Sequence, residues 1–197
     1  MITSFKSALL LIAGVAASAS ASAHTGHGTH SLMEGLFHPF GLDHLLAMLA
    51  VGVWSVSALP ANKAWQGPAT FMLALAVSAI LGASGVTLPY LEHAIALSVA
   101  LFGTMLIFAA KPAPKALGLG LIAVAASLHG LAHGAETPAT GFAGYAAGFL
   151  VTTSALHLSG VGIGLSIRRL LAKRSGVVLG GLGTLLGCTG LYLFSQV

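Results

Sequence analysis

The residues able to do chemistry in this chain are imidazoles and carboxylates gathered in a few short stretches. His38-Pro39-Phe40-Gly41-Leu42-Asp43-His44 carries two imidazoles and a carboxylate into the start of an apolar segment that runs to Leu59. Further on, His129, His133 and Glu136 stand at i, i+4 and i+7, a spacing that puts all three on one face of a helix. Two imidazoles and a carboxylate make a divalent-metal half-site, because ring nitrogens and carboxylate oxygens suit first-row transition metals. The opposing reading is a hydrogen-bonded pair of buried histidines. The terminal carboxylate, and a depth matching that of the first stretch, favour metal, since ionisable groups in a membrane persist where they pair, face a wet cavity or bind something.

The geometry of the first stretch depends on its proline. A residue before proline is pushed out of the α region and Pro39 fits a first helical position, so His38 is expected just outside a helix that already holds Asp43 and His44. His38 joins Asp43 or His44 around one ion only if the chain turns at Pro39, a turn that Gly41 would ease. Met48, one turn below His44, offers a thioether, although a lone methionine is more often a gap-filler. Glu92 and His93 follow Pro89 and point about 100° apart, so one of them at most faces an ion fully, and Glu92 is preferred. His157, with Thr153 and Ser154 one turn earlier, makes a polar patch that reads either as a lower station on a path or as a core histidine bonded to a hydroxyl. His24, His27 and His30, at three-residue intervals in a Gly-containing tract, read either as a compositional metal-binding tail or as a solvated one.

These residues sit in a chain of 197 residues that is 56% hydrophobic and 6% charged, with a mean hydropathy of +0.96. Soluble domains carry roughly 25% charged residues, so the composition is that of an integral membrane protein. Cys188 is the single cysteine and excludes an intrachain disulfide. Residues 1–23 read as a signal peptide: Lys6, an apolar run from Ala8 to Ala16, then Ala21-Ser22-Ala23 as a small-residue cleavage tract. The competing reading, an uncleaved first helix, needs roughly 20 apolar residues, which the run lacks. Cleavage would make His24 the new amino terminus, at the head of a His-rich tail over 24–32.

The remainder, 33–197, is expected to be an all-α bundle of six transmembrane helices, over about 33–59, 66–86, 90–110, 115–135, 139–166 and 176–195. The loops at 60–65, 111–115 and 167–175 hold Lys63, Lys111, Lys115, Arg168, Arg169, Lys173 and Arg174, which is every Lys and Arg after the signal. By the positive-inside rule these loops are expected to be cytoplasmic and the amino terminus outside, and the expected location is a bacterial cytoplasmic (inner) membrane. Glu34, His38, Asp43, His44, Glu92, His93, His129, His133 and Glu136 then share the outer half. Gly176, Gly180, Gly183 and Gly187, like Gly141, Gly144 and Gly148, form small-residue stripes expected to be packing faces.

The two stretches His38-Pro39 with Gly41-Leu42-Asp43-His44-Leu45-Leu46-Ala47-Met48 and His129-Gly130-Leu131-Ala132-His133-Gly134-Ala135-Glu136 resemble the HupE/UreJ family of nickel and cobalt permeases. The likeness runs through nearly the whole chain. It implies passage of nickel, or cobalt, from outside into the cytoplasm to supply enzymes such as hydrogenase or urease. It also implies that His38, Asp43, His44, Glu92, His133 and Glu136 are functional positions.

Two other classes compete. An intramembrane metal-dependent hydrolase would use the His129-x3-His133 spacing of a zinc-protease helix, but Gly130 stands where the general-base glutamate belongs. A proton-relay or metal-sensing subunit would need a partner-facing domain, and hardly any chain is left outside the membrane. The expectation is a permease, not an enzyme, with a transition-metal ion as cargo, the lipid bilayer as surroundings, no permanently bound cofactor and no nucleic-acid partner. No P-loop is present for direct ATP hydrolysis.

Overall fold

The computed structural model describes residues 31–137 and 142–197, and among them all regular structure is helical. Helix α1 (Ser31–Phe37) leads through a 3-10 turn (His38–Phe40) into α2 (Leu42–Ala58). Then come α3 (Gln66–Ala83), α4 (Leu91–Ile107), α5 (Lys115–Ala135), α6 (Phe142–Leu170) and α7 (Ser175–Phe194). The expected signal peptide, His24, His27, His30 and Gly141 lie outside the described residues.

Four of these helices are long and apolar enough to cross a membrane, and a fifth span results if α1 and α2 count as one bent unit; α4, at 17 residues, is shorter. The first apolar segment is therefore not one straight helix. Its two parts meet at 74°. Pro39 cannot continue the backbone ladder of α1, and its fixed φ starts the tight turn instead. Gly41 has φ −50° and ψ 138°, a conformation open to any residue. Its small size is what the turn uses, because an added Cβ would lie 3.2 Å from Asp43 Oδ1.

Helix α2 is the axis of the bundle. It packs against α3, α4 and α6, and its core residues Ala47, Met48, Val51, Val53, Trp54 and Val56 are all buried. A helix enclosed on every side needs no polar stripe, which explains why the sequence from Leu45 to Val53 is apolar all round. Around it α3 pairs with α5, α4 with α7, and α1 with α6. Thr152 on α6 donates its hydroxyl to the Leu36 carbonyl at 2.9 Å, satisfying a backbone acceptor at the end of α1. Outward-facing Leu73, Ile80, Val124, Leu158 and Val177 are exposed, as a lipid-facing shell requires.

Only part of the expected glycine stripe on α7 packs. Gly183 and Gly190 lie against Gly103 and Ala100 of α4 and the Gly187 backbone also meets Gly103, whereas an added Cβ at Gly176 or Gly180 meets nothing within 4 Å. Close approaches beside the ionisable residues lie elsewhere. At Gly134 an added Cβ would stand 2.7 Å from Ala83 N of α3, and at Gly130 it would stand 3.0 Å from the Leu75 carbonyl carbon. These two glycines, each following a histidine, let α5 press onto α3 beside His129 and His133.

Candidate metal centre

Two helices and one turn bring the ionisable residues together near the end of the bundle opposite the basic loops. His38 stands in the turn, Asp43 and His44 in the first turn of α2, His129 and His133 in the last turns of α5, and Glu136 at its C-cap. Two sets of side chains offer ligand atoms all within 4.8 Å of one another: His44, His129 and His133, fully buried, and His38, His133 and Glu136, which opens to the surface. His133 belongs to both. Its ring centroid lies 4.3 Å from that of His44 and 4.6 Å from that of His38. The bend at Pro39 is what turns His38 back toward this helix face; without it the ring would point away from His44.

Hydrogen bonds indicate which nitrogen His44 and His129 present. His44 Nδ1 lies 2.7 Å from Asp43 Oδ1, a carboxylate oxygen that only accepts, so Nδ1 carries a proton and Nε2 is the nitrogen the neutral ring offers as a ligand. Asp43 Oδ1 is itself held by the His44 backbone N–H at 2.8 Å. His129 Nε2 lies 2.9 Å from Ser98 Oγ on α4. The single Ser98 hydroxyl proton is donated to the Ile95 carbonyl at 2.7 Å, so Ser98 accepts from His129 and leaves His129 Nδ1 bare. His44 Nε2, His129 Nδ1 and both nitrogens of His133 are buried with no hydrogen-bond partner among the described residues. Buried polar atoms are normally paired. Ring nitrogens of three imidazoles, two of the rings backed by a carboxylate or hydroxyl, are a donor set that could hold a transition-metal ion.

The outer set is wetter. His38 Nε2 lies 3.3 Å from Glu136 Oε2, whose side chain is 55% exposed. Tyr145 and Phe149 on α6 wall this region, with the Phe149 ring tilted against His133 at 4.2 Å and Tyr145 5.7 Å from His38. Of the other residues singled out in sequence, Glu92 opens α4 and acts electrostatically on His44, although it belongs to neither set of three. His93 turns aside, between the rings of Tyr90 and Phe194. Asp43 likewise stands behind His44 and outside both sets.

A sequence model of the family described as HupE / UreJ protein matches residues 10–193. The chain belongs to the HupE/UreJ family. Protein HupE of Rhizobium leguminosarum bv. viciae is 41% identical over 154 residues, which cover 77% of this chain and 80% of that protein. No solved structure matches. HupE/UreJ membership associates the chain with nickel and cobalt transport and with bacterial membranes, in keeping with its apolar helices.

Ser98, Phe71, Tyr145 and Phe149 shape the site yet carried no weight in the sequence reading. A signal existed for two of them. Tyr145, Phe149, Thr153 and His157 recur every fourth residue, all buried, forming one row along α6. Ser98 had none, because a serine in an apolar helix ordinarily bonds its own backbone and its second partner sits on another helix.

Proposed function

We propose that this HupE/UreJ member carries nickel, or cobalt, from the outside into the cytoplasm, through six spans preceded by a cleaved signal. The single observation that supports this most is the sharing of His133 between an exposed His38–His133–Glu136 set and a buried His44–His129–His133 set. A hydrated ion meets the outer set first, exchanges water for an imidazole and a carboxylate, and passes inward as His133 gives it to His44 Nε2 and His129 Nδ1. Each stage replaces lost hydration with protein ligands, and no one stage holds the ion with the full set. Conduction needs binding strong enough to enter and weak enough to leave.

Asp43 sets the His44 tautomer and supplies negative charge beside the ion, and Glu92 adds to that charge. No Lys or Arg lies in this half of the sequence pattern, so a divalent cation is the natural balance for Asp43, Glu92 and Glu136. Six spans follow if α1 with α2 makes one bent span and α4, about 25 Å long, makes another. His24, His27 and His30 act in this reading as a capture tail. The ion is cargo, and the chain is not an enzyme.

Accumulation of 63Ni in cells expressing the protein tests the reading. Uptake above the vector control is expected for the native chain and near-background uptake for His133→Ala, with the variant present in membranes at a normal level. Undiminished uptake by His133→Ala would overturn it.

A further inference from the structure

Two polar atoms deeper in the bundle are left over by the site above. His157 on α6 is 1% exposed, and its Nδ1 lies 2.8 Å from the Thr153 carbonyl, which only accepts. Nδ1 therefore carries the proton, and Nε2 keeps a bare lone pair without a partner among the described residues. Thr153, 0% exposed, has a hydroxyl that is likewise unpartnered. Its neighbours behave differently: Ser154, Ser159 and Ser166 each donate to the carbonyl four residues back. Thr153 and His157 are one turn apart, so their side chains stand one above the other on the same face.

The Phe71 ring of α3 links this pair to the histidine cluster. Its centroid lies 5.8 Å from His129 and 4.8 Å from His157, and the residue is wholly buried. Along α6, His157 stands a little over two turns, about 12 Å, beyond Phe149, which packs on His133. The direction is toward the basic loops. Leaving two buried polar atoms unpaired costs free energy that a purely structural histidine would recover by bonding Thr153 Oγ1 or another hydroxyl.

We propose that His157 Nε2 and Thr153 Oγ1 form a second, weaker binding station for the divalent ion, separated from the histidine cluster by the Phe71 ring. The proposal rests on the transport reading given above. One imidazole and one hydroxyl bind more weakly than three imidazoles, as an inner station must if ions are to move on toward the cytoplasm. Movement from His129 to His157 then requires the Phe71 side chain to swing aside, so the ring keeps the two stations from being one continuous wet path.

Two measurements on the purified full chain test this. In a background with His24, His27, His30, His38, His44, His129 and His133 all replaced by alanine, Co2+ titration followed by visible absorption should reveal one residual weak site, and adding His157→Phe should abolish it. In reconstituted vesicles, His157→Phe and Thr153→Val should each lower the 63Ni uptake rate, the former by about ten-fold or more. The affinity of the outer cluster should stay within about two-fold, because no ligand there is altered. Ser154→Ala, whose hydroxyl is spent on its own helix, should leave uptake unchanged. A residual Co2+ site indifferent to His157→Phe, or native uptake by both His157→Phe and Thr153→Val, would overturn the proposal. If the native chain moves no nickel, the transport reading fails by itself and the Co2+ titration alone decides the station.

Discussion

Asp43 and Ser98 show how much of the site's chemistry lies one bond behind the ligands. Each holds a proton on one ring nitrogen and leaves the other available as a ligand in the proposed site. Partners of this kind typically matter by about 10–100-fold in metal affinity. Asp43→Ala is therefore expected to weaken Ni2+ binding by that order, measured by calorimetric titration, and His44→Ala to weaken it more. Equal or greater damage from Asp43→Ala would make Asp43 a direct ligand, as the sequence reading had it. Ser98→Ala strands a buried Nε2–H and should cost about 1–3 kcal/mol of stability together with part of the Ni2+ affinity. An unchanged unfolding midpoint and unchanged affinity would show that Ser98 does not set the ring. His129, His133 and Glu136 were legible in sequence because one helix carries all three and its periodicity projects them onto one face. The Asp43–His44 bond was not, since adjacent helical residues ordinarily point apart, and here the carboxylate folds back on its neighbour.

Helices and their approximate limits follow from apolar runs between basic loops, and the observed elements fall within a few residues of those runs; α6 continues to Leu170. The break at Pro39 was also readable, as proline leaves few alternatives. Which glycines carry packing was not, because spacing alone does not say which face meets a neighbour: Gly176 and Gly180 look outward while Gly130 and Gly134 hold α5 to α3. This sorting yields a test within one helix. An added methyl at Gly130 must displace the backbone of α3, so Gly130→Ala should destabilise by about 1–3 kcal/mol and shift His129 and His133 enough to impair Ni2+ binding. Gly120→Ala, on the same helix but with nothing within 4 Å, should be close to neutral in both thermal unfolding and Ni2+ titration. Equal effects would mean that the α3–α5 contact does not position the histidines.

At the scale of the whole molecule, the two ends of the bundle differ in charge and in what they expose. One end has Lys63, Lys111, Lys115, Arg168, Arg169, Lys173 and Arg174, with Trp65 and Phe108 exposed beside them. The other has the imidazoles and carboxylates, bordered by exposed Phe37, Phe40, Tyr90 and Tyr192. Aromatic residues at both borders are the mark of two membrane–water interfaces, and by the positive-inside rule the end that gathers Lys and Arg is the one expected to face the cytoplasm. An uptake permease with its strongest ligands at the opposite end would meet scarce metal outside and release it among like charges, whose repulsion discourages return. Orientation is measurable with single cysteines, once Cys188→Ser has removed the native thiol. Cysteine at exposed Ser84, in the turn after α3, should react with a membrane-impermeant maleimide in intact spheroplasts. Cysteine at exposed Ala172, between α6 and α7, should react only after the membrane is opened. The reverse pattern would put the histidine cluster on the cytoplasmic side, and the same ligands would then serve export or intracellular sensing.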